Sequence, residues 1–101
     1  RKMDPLAAQT EPRELNPPAQ PLPKGGIVMY CSSWCPDCRR ARTWLKEHNL
    51  SYIEVDIYAH PGAGDQVKKW ANGNLTTPTF DIDGTIIVDF DVKKLADVLK
   101  V

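Results

Sequence analysis

Trp34-Cys35-Pro36-Asp37-Cys38 follows the apolar run Ile27-Val28-Met29-Tyr30 and opens a segment of helical periodicity, and its reading decides the fold. Two cysteines separated by two residues at the start of a helix suit thiol–disulfide exchange. The spacing lets both sulfurs close a small ring, and a helix N-terminus favours negative charge on the first of them. The thiolate is the attacking species, so this placement is what gives the pair its reactivity. A structural disulfide or half of a zinc site would need no such strand-to-helix setting.

Working outward, the order predicted from Ile27 onward is strand, helix, strand, helix, strand, strand, helix. Ile27–Cys31 is short and apolar, as a buried strand is. Residues 36–48 follow a helical period with Ala41, Trp44, Leu45 and His48 on one face, and Asn49 is a suitable stop. Residues 52–57 alternate in part and read as the second strand. Pro61 opens a second helix whose inner face is Ala63, Val67, Trp70 and Ala71, and Asn72-Gly73-Asn74 ends it. Strands over 79–83 and 85–90 flank Asp83-Gly84, a strong hairpin signal. Asp91 can cap a last helix bearing Val92, Leu95, Ala96 and Leu99 at helical spacing. The fold class is therefore α/β, a four-stranded mixed sheet with three flanking helices. Its first two strands are expected to be parallel through a right-handed crossover and its last two antiparallel.

Before this domain, residues 1–26 hold six of the nine prolines and end in Lys24-Gly25-Gly26. A segment so poor in donors and apolar surface reads as a flexible tail of polyproline character, leaving 27–101 as the domain. Thirteen basic and thirteen acidic residues give a formal charge of zero, which offers no footprint for a nucleic-acid or membrane-surface partner. No apolar run approaches the ~18 residues of a membrane-spanning helix. The three cysteines, Cys31, Cys35 and Cys38, crowd into one short stretch instead of spreading as staples, which points to a reducing, cytoplasmic compartment. A monomer is expected for so small a redox domain.

Residues 26–101 resemble a glutaredoxin, a branch of the thioredoxin fold. The likeness is carried by Trp34-Cys35-Pro36-Asp37-Cys38 after the first strand, by Thr76-Thr77-Pro78 before the third, and by a terminal helix after a hairpin. The spacing through Val55-Asp56-Ile57, Asn72-Gly73-Asn74 and Thr77-Pro78-Thr79 is especially similar to the mycoredoxins and related glutaredoxin-like proteins. The resemblance implies a cis peptide before Pro78, with that loop against the cysteine pair, where its backbone can meet an extended peptide or a glutathione-like thiol. It implies Cys35 as nucleophile, Cys38 as resolving thiol, and Trp34, Pro36, Asp37, Thr77, Pro78 and Asp91 as residues that contact the substrate or thiol. The chain departs from the family pattern at Ser32-Ser33, where a lysine is usual, and at Asp37, usually Tyr or Phe. It also departs at Thr77, usually Val, and at Asp89-Phe90-Asp91, which replaces a Gly-Gly turn with acidic residues.

The activity expected is reduction of protein or mixed disulfides, with glutathione, mycothiol or a thioredoxin-type reductase as electron source. No bound cofactor or metal is expected, because the cysteines carry the two electrons. A metal or iron–sulfur carrier using Cys31, Cys35 and Cys38 is the alternative, and it lacks an evident fourth ligand. Cys31 reads otherwise as a small buried hydrophobe. Asp37 opposes a thiolate nearby, whereas Arg39 and Arg40 favour it. Arg39, Arg40 and Arg42 read as a solvated helix face, Trp44 and Trp70 as core, His48 as a partner of the helix C-terminus, and His60 as part of a loop.

Overall fold

The computed structural model describes residues 22–101; residues 1–21, most of the expected tail, lie outside that range. The elements are β1 (Ile27–Cys31), α1 (Pro36–Glu47), β2 (Ile53–Asp56), α2 (Ala63–Trp70), β3 (Thr79–Ile82), β4 (Thr85–Val88) and α3 (Val92–Leu99). They form one four-stranded sheet in the order β2-β1-β3-β4. β1 runs parallel to β2 and antiparallel to β3, and β3 and β4 form an antiparallel hairpin.

The apolar β1 is buried on both faces, as expected for a central strand covered by helices on each side. Its alternation sends Ile27, Met29 and Cys31 to a core completed by Cys38, Ala41 and Leu45 of α1 and Leu95 of α3. Val28 and Tyr30 point the other way, into a core built with Val55, Ile57, Ala63 and Val67. Trp70 closes that second core edge-on against Tyr30, with ring centroids 5.3 Å apart. Leu22 packs on the same side. Burying a side chain the size of Tyr30, Met29 or Phe80 contributes roughly 1.5–3 kcal/mol each. Truncating Leu45, which has no exposed surface, would therefore open a cavity costing about 2–5 kcal/mol.

The hairpin turn is of the kind its sequence demands. Asp83 (φ 50°) and Gly84 (φ 94°) both adopt positive φ, the signature of a type I′ turn. Asp83 then ties the turn to the entrance of β1: its carboxylate accepts the Gly26 N–H at 2.7 Å and its own N–H donates to the Gly26 carbonyl at 3.1 Å.

Several boundaries differ from the sequence reading, each for a local reason. α2 begins at Ala63 rather than Pro61, because residues 59 and 60 fold back onto the Asp56 carbonyl and Gly62 takes φ 87°. β4 ends at Val88, since Asp89 turns to φ 74° and its carboxylate accepts the Phe90 N–H. His48 lies outside the α1 stripe, exposed, with its ring against Trp44 and its Nδ1 2.9 Å from the Trp44 carbonyl. It serves the helix end as read, but not the core. Trp44 is only partly buried against the first core, and Val92 is 43% exposed at the outer edge of α3. Asn49 ends α1 in the left-handed region, as its side chain tolerates.

Candidate active site

Cys35 is the N-cap residue of α1. Its backbone is extended (φ −75°, ψ 120°), its carbonyl accepts the Arg39 N–H, and its side chain caps none of the first-turn amides. Pro36 follows at the first helical position, where a missing N–H leaves no partner unsatisfied. The Cys35 thiol is partly buried and donates to the Thr77 carbonyl at 3.5 Å, across 42 positions of sequence. That carbonyl belongs to the cis Thr77-Pro78 peptide, and Pro78 itself is buried. The loop is anchored just beyond, where the Thr79 hydroxyl donates to the Thr76 carbonyl at 2.8 Å.

One turn into α1, Cys38 is fully buried. Its thiol is pulled down to about 6 from the ordinary 9.0, chiefly by a hydrogen bond from Cys31. Burial opposes that effect, while donors from the Ser32 backbone, Cys35 and the Thr77 side chain reinforce it. Cys31 is pushed the opposite way, above the usual thiol range, because it is the hydrogen-bonded neighbour of Cys38 and is itself buried. Glu54 adds to this shift and Arg42 offsets part of it.

The other residues singled out by sequence fall into distinct surroundings. Trp34 is 67% exposed and stacks on Tyr58, with ring centroids 5.1 Å apart and planes 23° from parallel. The carboxylate of Asp37 is engaged by Arg40 one turn on, so its charge is locally offset. Arg42 is no solvated bystander: its guanidinium forks onto the Glu54 carboxylate at 2.8 and 2.6 Å, joining α1 to β2. Asp91 caps α3 by accepting the Lys94 N–H at 3.1 Å, so this carboxylate is already committed. Beside it an open, mostly apolar depression lies between α1 and α3, bounded by Arg39, Arg40, Trp44, Phe90 and Val92. His60 stays in its loop, with Nδ1 3.0 Å from the Pro61 carbonyl.

Tyr58, the partner of Trp34, escaped the sequence reading, because an isolated aromatic just past a strand carries no periodic or motif signal. Ser32 also proves structural: it is 5% exposed and its carbonyl accepts the Cys35 N–H at 3.4 Å. Among the described residues, no three His, Cys, Asp or Glu side chains converge as metal ligands.

The arrangement offers a reachable sulfur at an uncapped helix end, a second sulfur buried behind it, and a fixed backbone carbonyl beside the first. The sequence model of the glutaredoxin family matches residues 27–87. A Mycobacterium tuberculosis protein described as a glutaredoxin is 34% identical over 64 residues, which cover 62% of this chain and 76% of that protein. The global transcriptional regulator Spx 1 of Oceanobacillus iheyensis is 40% identical over 43 residues, 43% of this chain. That match spans only a third of the regulator's length (33%). Among solved structures, a mutant of the thioredoxin-like protein BC3987 superposes with a TM-score of 0.66 at 30% identity, covering 73% of this chain and 94% of that one.

Proposed function

The chain belongs to the glutaredoxin family, and from that premise we propose that it is a dithiol–disulfide oxidoreductase acting on protein disulfides or mixed disulfides. The observation that carries this reading is the unequal placement of the two sulfurs, Cys35 only partly buried at the N-cap of α1 and Cys38 fully buried behind it. The Cys35 thiolate attacks one sulfur of the target, and the other leaves as a thiolate. Cys38 then attacks the Cys35 sulfur, the bond to the target breaks, and the Cys35–Cys38 disulfide remains. Two electrons from a low-molecular-weight thiol such as glutathione or mycothiol, or from a thioredoxin-type reductase, restore the dithiol. Trp34 and the Thr77 backbone flank the reacting sulfur and bind the target, with Pro36 and Asp37 at the rim; Pro78 supports the Thr77 carbonyl from within, and Asp91 is spent on capping α3. Among the described residues no comparable geometry supports the metal-carrier alternative.

The test is turnover of a glutathione mixed disulfide with glutathione, glutathione reductase and NADPH. Wild type and Cys38→Ser should be active and Cys35→Ser reduced by roughly a thousandfold or more, as when a catalytic nucleophile is removed. If all three are inactive with glutathione, the same series is run with mycothiol and with thioredoxin reductase. Inactivity of wild type with every reductant would sink the proposal.

A further inference from the structure

Trp34 and Tyr58 keep two large rings in solvent beside the reacting sulfur. The chain's other aromatic rings are buried or packed against one of the two cores. These two are 67% and 61% exposed, yet they stack on one another with centroids 5.1 Å apart. Stacking covers one face of each ring, and the exposure shows that the rest stays open. Single exposed apolar side chains mark nothing, but a contiguous aromatic pair next to a reactive group marks an interaction surface.

Both rings are carried on fixed backbone. Trp34 sits in the turn closed by the Cys35 N–H and the Ser32 carbonyl, with Ser32 buried at one end and the N-cap of α1 at the other. Tyr58 rides on a second turn, just past β2. There Asp56 accepts the Tyr58 N–H on its carboxylate at 2.9 Å and the N–H groups of residues 59 and 60 on its carbonyl. The two turns leave from adjacent strands: Asp56 stands opposite Cys31, and the Ile57 N–H donates to the Cys31 carbonyl at 3.0 Å. The sheet therefore sets the stack, and Tyr58 holds the Trp34 ring one residue from Cys35. A ring already held by its neighbour has little side-chain entropy left to lose when a partner covers it.

We propose that Trp34 and Tyr58 form one aromatic ledge that selects polypeptide disulfides bearing an aromatic or large apolar side chain within about two residues of the target cysteine. The span follows from reach: with the target sulfur bonded to Cys35 Sγ, two extended residues cover roughly 7 Å. The proposal rests on the exchange reading above and narrows its substrate. The carboxylates expected from sequence to meet a small thiol are already engaged, Asp37 by Arg40 and Asp91 by the Lys94 N–H. Glutathione is charged at both ends and has no apolar side chain to lay on a ring, so the ledge contributes nothing to its binding. The covalent step is unchanged: Cys35 Sγ bonds to the target sulfur, the target disulfide breaks, and its other sulfur leaves as a thiolate. Tyr58 is thus a specificity-determining residue, acting through its own ring and through the placement of Trp34.

The experiment mixes the reduced full chain with thionitrobenzoate mixed disulfides of three thiols: a cysteine peptide flanked by Phe, the same peptide flanked by Ala, and glutathione. Thionitrobenzoate is the better leaving group, so Cys35 attacks the peptide or glutathione sulfur, and release of the coloured thiolate gives the rate. Each rate is divided by that of dithiothreitol with the same probe. Wild type should favour the Phe peptide over the Ala peptide by roughly fivefold to tenfold, the size of one aromatic contact. It should react with the glutathione probe no faster than with the Ala peptide. Tyr58→Phe should keep the ratio and Tyr58→Ala should bring it near unity, whereas a merely structural loss lowers both rates together. A wild-type ratio near unity overturns the proposal. So does a ratio that survives Tyr58→Ala or is lost in Tyr58→Phe, and so does glutathione outpacing the Phe peptide. Failure of the exchange reading shows separately, as release by wild type no faster than by Cys35→Ser. The ledge is then judged by binding alone. The Trp34 indole N–H resonance of Cys35→Ser should shift with the S-methylated Phe peptide and not with its Ala counterpart, and silence toward both overturns the proposal.

Discussion

α1 and α3 begin in opposite ways. α3 starts on Asp91, whose carboxylate accepts the Lys94 N–H and closes the helix end. α1 starts on Cys35, in the extended backbone geometry an N-cap adopts, yet its side chain turns outward to the Thr77 carbonyl and leaves the first-turn amides uncapped. A capped end is settled by its own side chain. An uncapped one is held ready for whatever negative charge arrives, here a sulfur anion. α2 also starts without a side-chain cap, on Gly62, so an open end alone marks nothing; what sets α1 apart is that a sulfur stands at its open end, where about 1 kcal/mol of capping is forgone.

The strongest way to break the comparison is Cys35→Ser. Serine is a preferred cap in that backbone geometry, so the variant should lose exchange altogether while gaining about 0.5–1 kcal/mol of stability, read by urea unfolding under reducing conditions. A destabilised Cys35→Ser would mean that the α1 end was not open after all. The next effect concerns pH. Cys38 is lowered to about 6 in the folded protein, so its contribution is complete above the ordinary thiol value of 9.0 and is lost as pH falls toward 6. Cys31, shifted upward, contributes below 9.0 and loses that contribution as pH rises beyond it. The unfolding midpoint of the reduced protein should climb from pH 6 toward 9 and turn down above, and Cys38→Ser should remove the climb. Asp91→Ala should cost about 1 kcal/mol with little change in exchange rate, as befits a carboxylate spent on capping. A large fall in turnover with unchanged stability would instead make Asp91 a thiol-binding residue. The smallest effect is expected for Arg42→Met, at about 0.5–1 kcal/mol, because this ion pair is still partly solvated.

Legibility in the sequence followed physical range. The hairpin was readable because Asp83-Gly84 answers a local dihedral demand, and the α3 cap because Asp91 sits one residue before an apolar helical period. The order and type of every element from β1 to α3 were readable for the same reason. The errors lie at element ends and outer faces. Pro61 looked like a helix start, but Gly62 at positive φ moves the start to Ala63. His48 and Val92 fit the apolar period yet lie at helix extremities, where the sheet no longer reaches over them.

By itself the sequence determined that a Cys-x-x-Cys pair opens a helix after a buried strand, and that a Thr-Pro follows before a hairpin. Each of these depends on periodicity, capping or backbone preference among near neighbours. Only the tertiary structure decided what those residues meet: Cys35 on the Thr77 carbonyl 42 positions away, Arg42 on Glu54 across 12, Trp34 on Tyr58, and Cys31 with Cys38 in one buried cluster. Such contacts are set by the register of β1 with β2 and β3 and by the way α1 crosses the sheet. A pattern confined to one segment carries no record of that geometry.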